Sequence, residues 1–196
     1  MPAEKIFSSI YANNDWICGS GEGSTPANTM QYRQYLQKFL SEKGIRTVVD
    51  FGCGDWQFCR LMDWSNVRYL GIDIVPAIIR KNRQAFGREH ISFIHAEAWD
   101  SPLPAADLLI VKDVLQHWPI AMIQSFLRTI DSFRYALITN CTEPATNSEC
   151  GLGGYRGIDL LAAPFHVACS PVLTYDWYSA HHGKSFQKTT FLYARD

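Results

Sequence analysis

Three things are scarce in this sequence, and each scarcity excludes a class of protein. There is no basic excess: 18 lysines and arginines stand against 19 aspartates and glutamates, for a net charge of -1. Nucleic-acid binders carry a basic patch or stripe, so no nucleic-acid partner is expected. No apolar run approaches the roughly 18 residues of a membrane span. The opening MPAEKIFSSIYANND also lacks the apolar core of a secretory leader. No membrane partner is expected, and the cytoplasm is the expected location. Finally, there is no C-x-x-C pair. Cys18, Cys53, Cys59, Cys141, Cys150 and Cys169 are irregularly spaced, which suits neither a disulfide framework nor a zinc site. They read as free, mostly buried thiols. His181 and His182 are adjacent and would face opposite ways in a strand, so no metal site is expected there.

What is present is ample core material: 47% of residues are hydrophobic and 19% charged. At 196 residues one domain is expected, with residues 1–44 supplying N-terminal helices and a Gly/Ser-rich lid, and residues 45–196 the core. Glu4 to Ala12 reads as a short amphipathic helix, and GSGEGSTPAN (19–28) as a loop. Thr29 is placed to cap a helix in which Tyr32, Leu36, Phe39 and Leu40 share a face. Apolar strand-like runs then alternate with helical ones. RTVVDF, VRYLGID, ISFIHA, DLLIVKD and RYALITN read as strands; QFCRLMDW, PAIIRKNRQAF and IAMIQSFLRTI read as helices. That alternation predicts an α/β fold, a mostly parallel sheet with helices on both faces. PVLTYDWYS and FQKTTFLYARD have no helix between them, so they are expected to form a C-terminal antiparallel hairpin. Residues 141–165 are long, glycine-rich and unassigned, a composition common in functional loops.

The stretch TVVDFGCGDWQFCR (47–60) carries the chemistry. A glycine turn after a strand opens at the carboxyl end of a parallel sheet, where such folds bind ligands. Dinucleotides and S-adenosylmethionine both use such turns. A dinucleotide sets its pyrophosphate on the following helix N-terminus and wants G-x-G-x-x-G. Gly52 and Gly54 fit that pattern, but position 57 is glutamine, and Asp55 stands where the phosphates would lie. Like charges about 4 Å apart cost about 4 kcal/mol at an effective dielectric near 20. S-adenosylmethionine has no phosphate and is cationic at its amine and sulfur. Asp73, ending the second strand about 20 residues on, is placed to bond a ribose hydroxyl, which either cofactor offers.

From about Arg46 to Asn140 the chain resembles the core of the class I S-adenosylmethionine-dependent methyltransferases. The resemblance rests on VVDFGCGDW, YLGIDI, FIHAEAWD and DLLIVKDVLQHWP. It implies a Rossmann-like seven-stranded sheet with one reversed strand. It also implies that Asp50, Gly52, Cys53 and Gly54 line the methionine end, that Asp73 takes the ribose and that Ile74 faces the adenine. Glu97, Ala98 and Trp99 would form the adenine-edge loop. Lys112 and Asp113 would lie below the methionine amine and the methyl group, and Arg33 would pair with the cofactor carboxylate or remain solvated. Trp56 stands where the family usually keeps a glycine, among the expected cofactor contacts.

The reaction expected is methyl transfer to an oxygen or nitrogen of a small-molecule acceptor. His117 and Asp113 are the candidate catalytic residues, with a near-neutral imidazole suited to base work. Tyr11 and Trp16 on the lid, with Asn140, Arg156 and Asp159, are candidate acceptor contacts. The alternatives are a non-catalytic protein that binds S-adenosylmethionine or S-adenosylhomocysteine, a protein or peptide methyltransferase, and a nucleotide-dependent oxidoreductase, which Asp55 and Gln57 disfavour. Neither the acceptor nor the oligomeric state is legible here.

Overall fold

The computed structural model describes residues 2–97 and 102–195. Seven strands form one sheet: β1 (Thr47–Phe51), β2 (Arg68–Asp73), β3 (Ile91–His95), β4 (Leu108–Lys112), β5 (Tyr135–Cys141), β6 (Ser170–Ser179) and β7 (Lys184–Ala194). Their order is β3-β2-β1-β4-β5-β7-β6. The first five are mutually parallel, and β7 runs antiparallel to both β5 and β6. The chain order reverses between β1 and β4, so the carboxyl ends of those strands form the switch point at which open α/β sheets bind ligands.

Alternation along the central strands builds two cores. Val49, Phe51, Leu109 and Val111 face one layer, and Val48, Leu108, Ile110 and Leu137 face the other. The first layer is closed by helices α1 (Ala3–Asn13) and α4 (Ile120–Leu127), which insert Phe7, Ile123 and Phe126. The second is closed by α2 (Met30–Glu42), through the expected stripe of Tyr32, Leu36, Phe39 and Leu40. Helix α3 (Pro76–Phe86) edges both, with Ile78 in one core and Ile79 in the other. Thr29 does sit at the α2 start, but its hydroxyl donates to the Thr25 carbonyl at 2.8 Å rather than capping the helix.

The helix expected from QFCRLMDW is absent. Only a three-residue 3-10 turn, Cys59–Leu61, follows the glycine turn. Trp56 takes φ 60°, in the left-handed region, which interrupts helical continuation. Its ring packs on Tyr69, Phe86 and Phe93 at centroid separations of 5.6, 4.9 and 5.4 Å. Trp64 then donates its indole N–H to the Cys59 carbonyl at 2.8 Å, closing the segment. Burying that aromatic cluster outweighs the helix propensity of eight residues, a common tertiary override of a weak prior.

Candidate active site

A cavity of about 670 Å³ opens over the carboxyl ends of β1, β2 and β4, within the size range of small-molecule sites, about 300–1,000 Å³. Its floor is Asp50 to Gly54, its flank Asp73, Ile74, Val75 and Ala96, and its far side Lys112, Asp113, His117 and Cys141. Trp16, Tyr155, Trp177 and Phe186 line it as well.

The loop expected as a lid is a strap tied down at several points. Ser20 accepts from the Asp55 amide at 2.9 Å and bonds the Tyr11 hydroxyl at 2.7 Å. Gln57 donates to the Cys18 carbonyl and, at 3.0 Å, to Asp55. Gly54 is required for this closeness: it has φ 53°, and a Cβ there would collide with Ser20. At the other end, Glu22 accepts from Ser179 at 2.6 Å and from the Ala180 amide at 2.9 Å. Asn28 exchanges two hydrogen bonds with the Tyr178 backbone. The strap therefore joins the glycine turn to the β6–β7 hairpin across the cavity.

The two acids beside the glycines do different work. Asp73 spreads its oxygens over the Gly54 and Val75 amides, at 2.9 Å each, which leaves a lone pair on each for a hydroxyl. Burial pushes its carboxyl up. Asp55 is bound into the strap rather than exposed at a helix start, since no helix starts there. Thus the turn has no helix N-terminus to hold a phosphate, a stronger reason against a dinucleotide than charge alone.

Asp50 is buried, and its carboxylate accepts from Tyr69 at 2.5 Å and from the Cys59 thiol at 3.5 Å. Burial pushes it up to about 6 from 3.8. An acid with a higher pKa folded than unfolded binds its proton more tightly when folded. Its contribution is therefore greatest below pH 3.8 and is lost as pH rises through about 6. Asp50→Asn keeps an acceptor for Tyr69 and removes the charge. The variant is expected to be more stable than the parent at pH 7, by about 3 kcal/mol at most, and to lose the pH dependence of stability between about 4 and about 6. Thermal melts across that range read both.

Beyond β4, Asp113 has φ 60° and is gripped by two ammonium groups. Lys112 and Lys188 each reach its Oδ2 at 2.5 Å, and both also donate to the Gly23 carbonyl of the strap, at 3.2 and 3.3 Å. The lysines hold the Asp113 carboxyl down to about 2 against its burial, and burial lowers Lys112 to about 8. With one oxygen shared by two ammonium groups that also reach Gly23, Asp113 anchors the strap, an arrangement that suits a base less well than His117 does.

His117 fits the base role better. Its Nδ1 lies 2.7 Å from the Gly154 carbonyl. A carbonyl only accepts, so Nδ1 carries the proton and Nε2 is the basic nitrogen, with the Gln116 side-chain amide 3.5 Å from it. Burial lowers its pKa below 6.5, which keeps the ring neutral at pH 7. Trp16 lies across the imidazole at a centroid distance of 4.8 Å.

Several expected contacts fall elsewhere. Arg33 does not line the cavity; it donates to the Pro26 carbonyl at 3.0 Å, because the face of α2 that turns to the sheet is Tyr32 and Leu36. Trp56 points into the aromatic cluster. Glu97 is exposed and the wall is Ala96; Ala98 and Trp99 lie outside the described residues. Tyr11 lines the cavity near Gly54 and Asp73, away from the hairpin. Asn140 is fully buried in β5 and off the cavity lining. Asp159 caps the Leu161 amide at 2.9 Å instead of pairing with Arg156. Arg156 is buried behind His117, donating to Cys150 at 2.6 Å and to the Gln116 carbonyl at 3.4 Å.

Lys188, Trp177, Phe186, Tyr155 and Ser20 line the cavity without having been singled out. For Lys188 a signal existed: it lies two residues before Thr190, on the same face of β7, and a lone lysine among buried strand positions wants a buried partner.

The donor set suits a ligand that is cationic and rich in hydroxyls. Asp73 offers acceptors for hydroxyls, Ile74 and Ala96 offer an apolar slot for a flat base, and Lys112 and Lys188 are already committed to Asp113. A Rossmann-like sheet of this strand order with such a site fits an adenosyl cofactor. Residues 49–132 match the family described as methyltransferase domain. Among solved structures, the N-methyltransferase NodS from Bradyrhizobium japonicum WM9, with S-adenosyl-L-homocysteine, aligns with TM-score 0.68 at 15% identity, over 98% of each chain. The 1,6-didemethyltoxoflavin-N1-methyltransferase of Burkholderia thailandensis aligns with TM-score 0.68 at 16% identity, over 98% of this chain and 87% of that one. The magnesium protoporphyrin IX methyltransferase ChlM from Synechocystis PCC 6803, with bound SAM, gives 0.63 at 16% identity, over 98% and 97%. No curated protein matches by sequence. Over residues 49–132 the chain thus matches the methyltransferase-domain family, and its fold is the one these S-adenosylmethionine-dependent methyltransferases share.

Proposed function

We propose that this enzyme methylates an oxygen or nitrogen of a small-molecule acceptor, with His117 receiving the acceptor's proton. The observation that carries the reading is the His117–Gly154 bond, which fixes Nε2 as the unprotonated nitrogen of a ring lining the cavity. S-adenosylmethionine, when bound, supplies a methyl group on a cationic sulfur that keeps the bonding electrons as the acceptor's lone pair takes the methyl. The chain's own residues orient and exclude water. Asp73 takes the ribose hydroxyls, Ile74 and Ala96 flank the adenine, and the turn from Asp50 to Gly54 carries the methionine end. The strap covers it through Tyr11 and Ser20, and Trp16 holds the His117 ring. Strap and hairpin meet across the mouth, which favours a small acceptor over a polypeptide. Three methyltransferases of this fold are named for small molecules or N-methylation, in keeping with that choice.

His117→Asn retains a donor for Gly154 and removes the base. Turnover is expected to fall about 100-fold, with S-adenosylhomocysteine affinity unchanged by calorimetry. In the parent, activity should decline on the acid side only below pH 6.5, the ordinary histidine value from which burial depresses His117. Unchanged turnover in His117→Asn would remove the base from this reading.

A further inference from the structure

The cavity is polarised. On the β1–β2 side it carries Asp50, Asp55 and Asp73, with Asp15 just beyond α1. On the hairpin side it carries Lys184, Lys188, His181 and His182. Of the remaining lining acids, Asp113 is neutralised by two lysines, while Glu22 keeps its charge and is held by the Ser179 hydroxyl and the Ala180 and His181 amides. Among the described residues Glu22 is therefore the one lining carboxylate at the hairpin end not paired with a lysine, and it is turned to the hairpin backbone and Ser179.

That end is also built of rings. Trp177 and Phe186 stack at 5.1 Å with planes 20° apart. Lys188 lies 4.9 Å from the Trp177 ring centre and Lys184 lies 4.8 Å from that of Phe186. His182 meets the edge of Phe186 at 5.6 Å. Lys188 is sequestered by Asp113, but Lys184, His181 and His182 are exposed. Aromatic walls take a flat apolar face, and ammonium and imidazole N–H groups beside them take negative charge.

We propose that the acceptor is a ring-bearing anion. Its ring lies against the Trp177–Phe186 pair and its carboxylate or phosphate is held by Lys184 with His181, the His182 Nδ1–H being given to the Ser179 hydroxyl. This rests on the methyl-transfer reading and adds the acceptor's charge and shape to it. A cationic cofactor in the acidic half and an anionic acceptor in the basic half also attract one another, which brings nucleophile and methyl group together.

The test uses the full chain saturated with S-adenosylhomocysteine and three probes sharing one ring: para-hydroxybenzoate, para-hydroxybenzamide and para-hydroxybenzylamine. Acetate serves as the ringless anion. Binding is read by calorimetry and by quenching of tryptophan fluorescence. The benzoate is expected to bind at least about tenfold more tightly than the amide, the amine and acetate. Lys184→Met is expected to shrink the benzoate-to-amide ratio to within about twofold while S-adenosylhomocysteine affinity stays as in the parent. An amide or amine that binds as well as the benzoate overturns the proposal. So does acetate matching the benzoate, or a preference that survives Lys184→Met. A failure of the methyl-transfer reading would register separately, as no calorimetric binding of S-adenosylhomocysteine, with the probe series still readable on the unliganded protein.

Discussion

Asp73→Ala is expected to weaken S-adenosylhomocysteine binding by about two to four orders of magnitude. Asp73 sits at the carboxyl end of β2, beside the switch point, with its two oxygens each taking one backbone amide. Each hydroxyl of a ribose donated to such a carboxylate contributes about 1.5–3 kcal/mol, and two of them account for the range. Alanine also strands the Gly54 and Val75 amides, so part of the loss would be a slackened turn. Asp73→Asn separates the contributions. Its carbonyl oxygen still takes one amide, while its amide nitrogen cannot accept a hydroxyl. Calorimetry with Asp73→Asn is expected to retain at most about a tenth of the parent affinity while its melting temperature stays close to the parent's. Affinity unchanged in Asp73→Asn would move the ribose away from β2.

Much of this site follows from local chemistry, and that part was legible. Asp73 and the glycine turn were readable because a strand, a turn and an acid follow each other within about 20 residues. Helix α3 was readable to its ends, since Pro76 suits a first helical turn and the apolar spacing is regular. What escaped depends on pairing over distance. Trp56 stands in the sequence among the expected cofactor contacts; only the fold brings Phe86 and Phe93 to its ring and gives it a reason to be there. For Asp50, expected at the methionine end, nothing local shows that Tyr69 on the adjacent β2 will donate to it. Arg33 was judged by its charge, whereas its side chain depends on where the strap runs. Lys188 depended on the register of β7 against β5, which places it opposite Cys141 at the cavity.

The second large effect is expected at Asp113. Substitution by asparagine keeps the size and tolerates the left-handed backbone at φ 60°, so it removes charge without adding strain. It leaves two buried ammonium groups, each 2 % exposed, with no counter-charge between them. Breaking a buried ion pair by removing one partner costs about 3–5 kcal/mol. For a chain of this length that lowers the melting temperature by about 6–20 °C. The pH dependence carries the same signature. The Asp113 carboxyl is held below its ordinary 3.8, at about 2; the stability it confers is present above 3.8 and is lost as pH falls through 2. The parent should therefore lose stability over that window and Asp113→Asn should not. Because both lysines also bond the Gly23 carbonyl, the variant is expected to free the strap as well, raising hydrogen exchange across residues 19–24. Lys188→Met added to Asp113→Asn removes one of the two unpaired cations, so the double variant should melt higher than Asp113→Asn alone, a non-additivity that independent sites would not show. A double variant no more stable than the single one would mean that Asp113 is not what holds the two lysines beneath the strap.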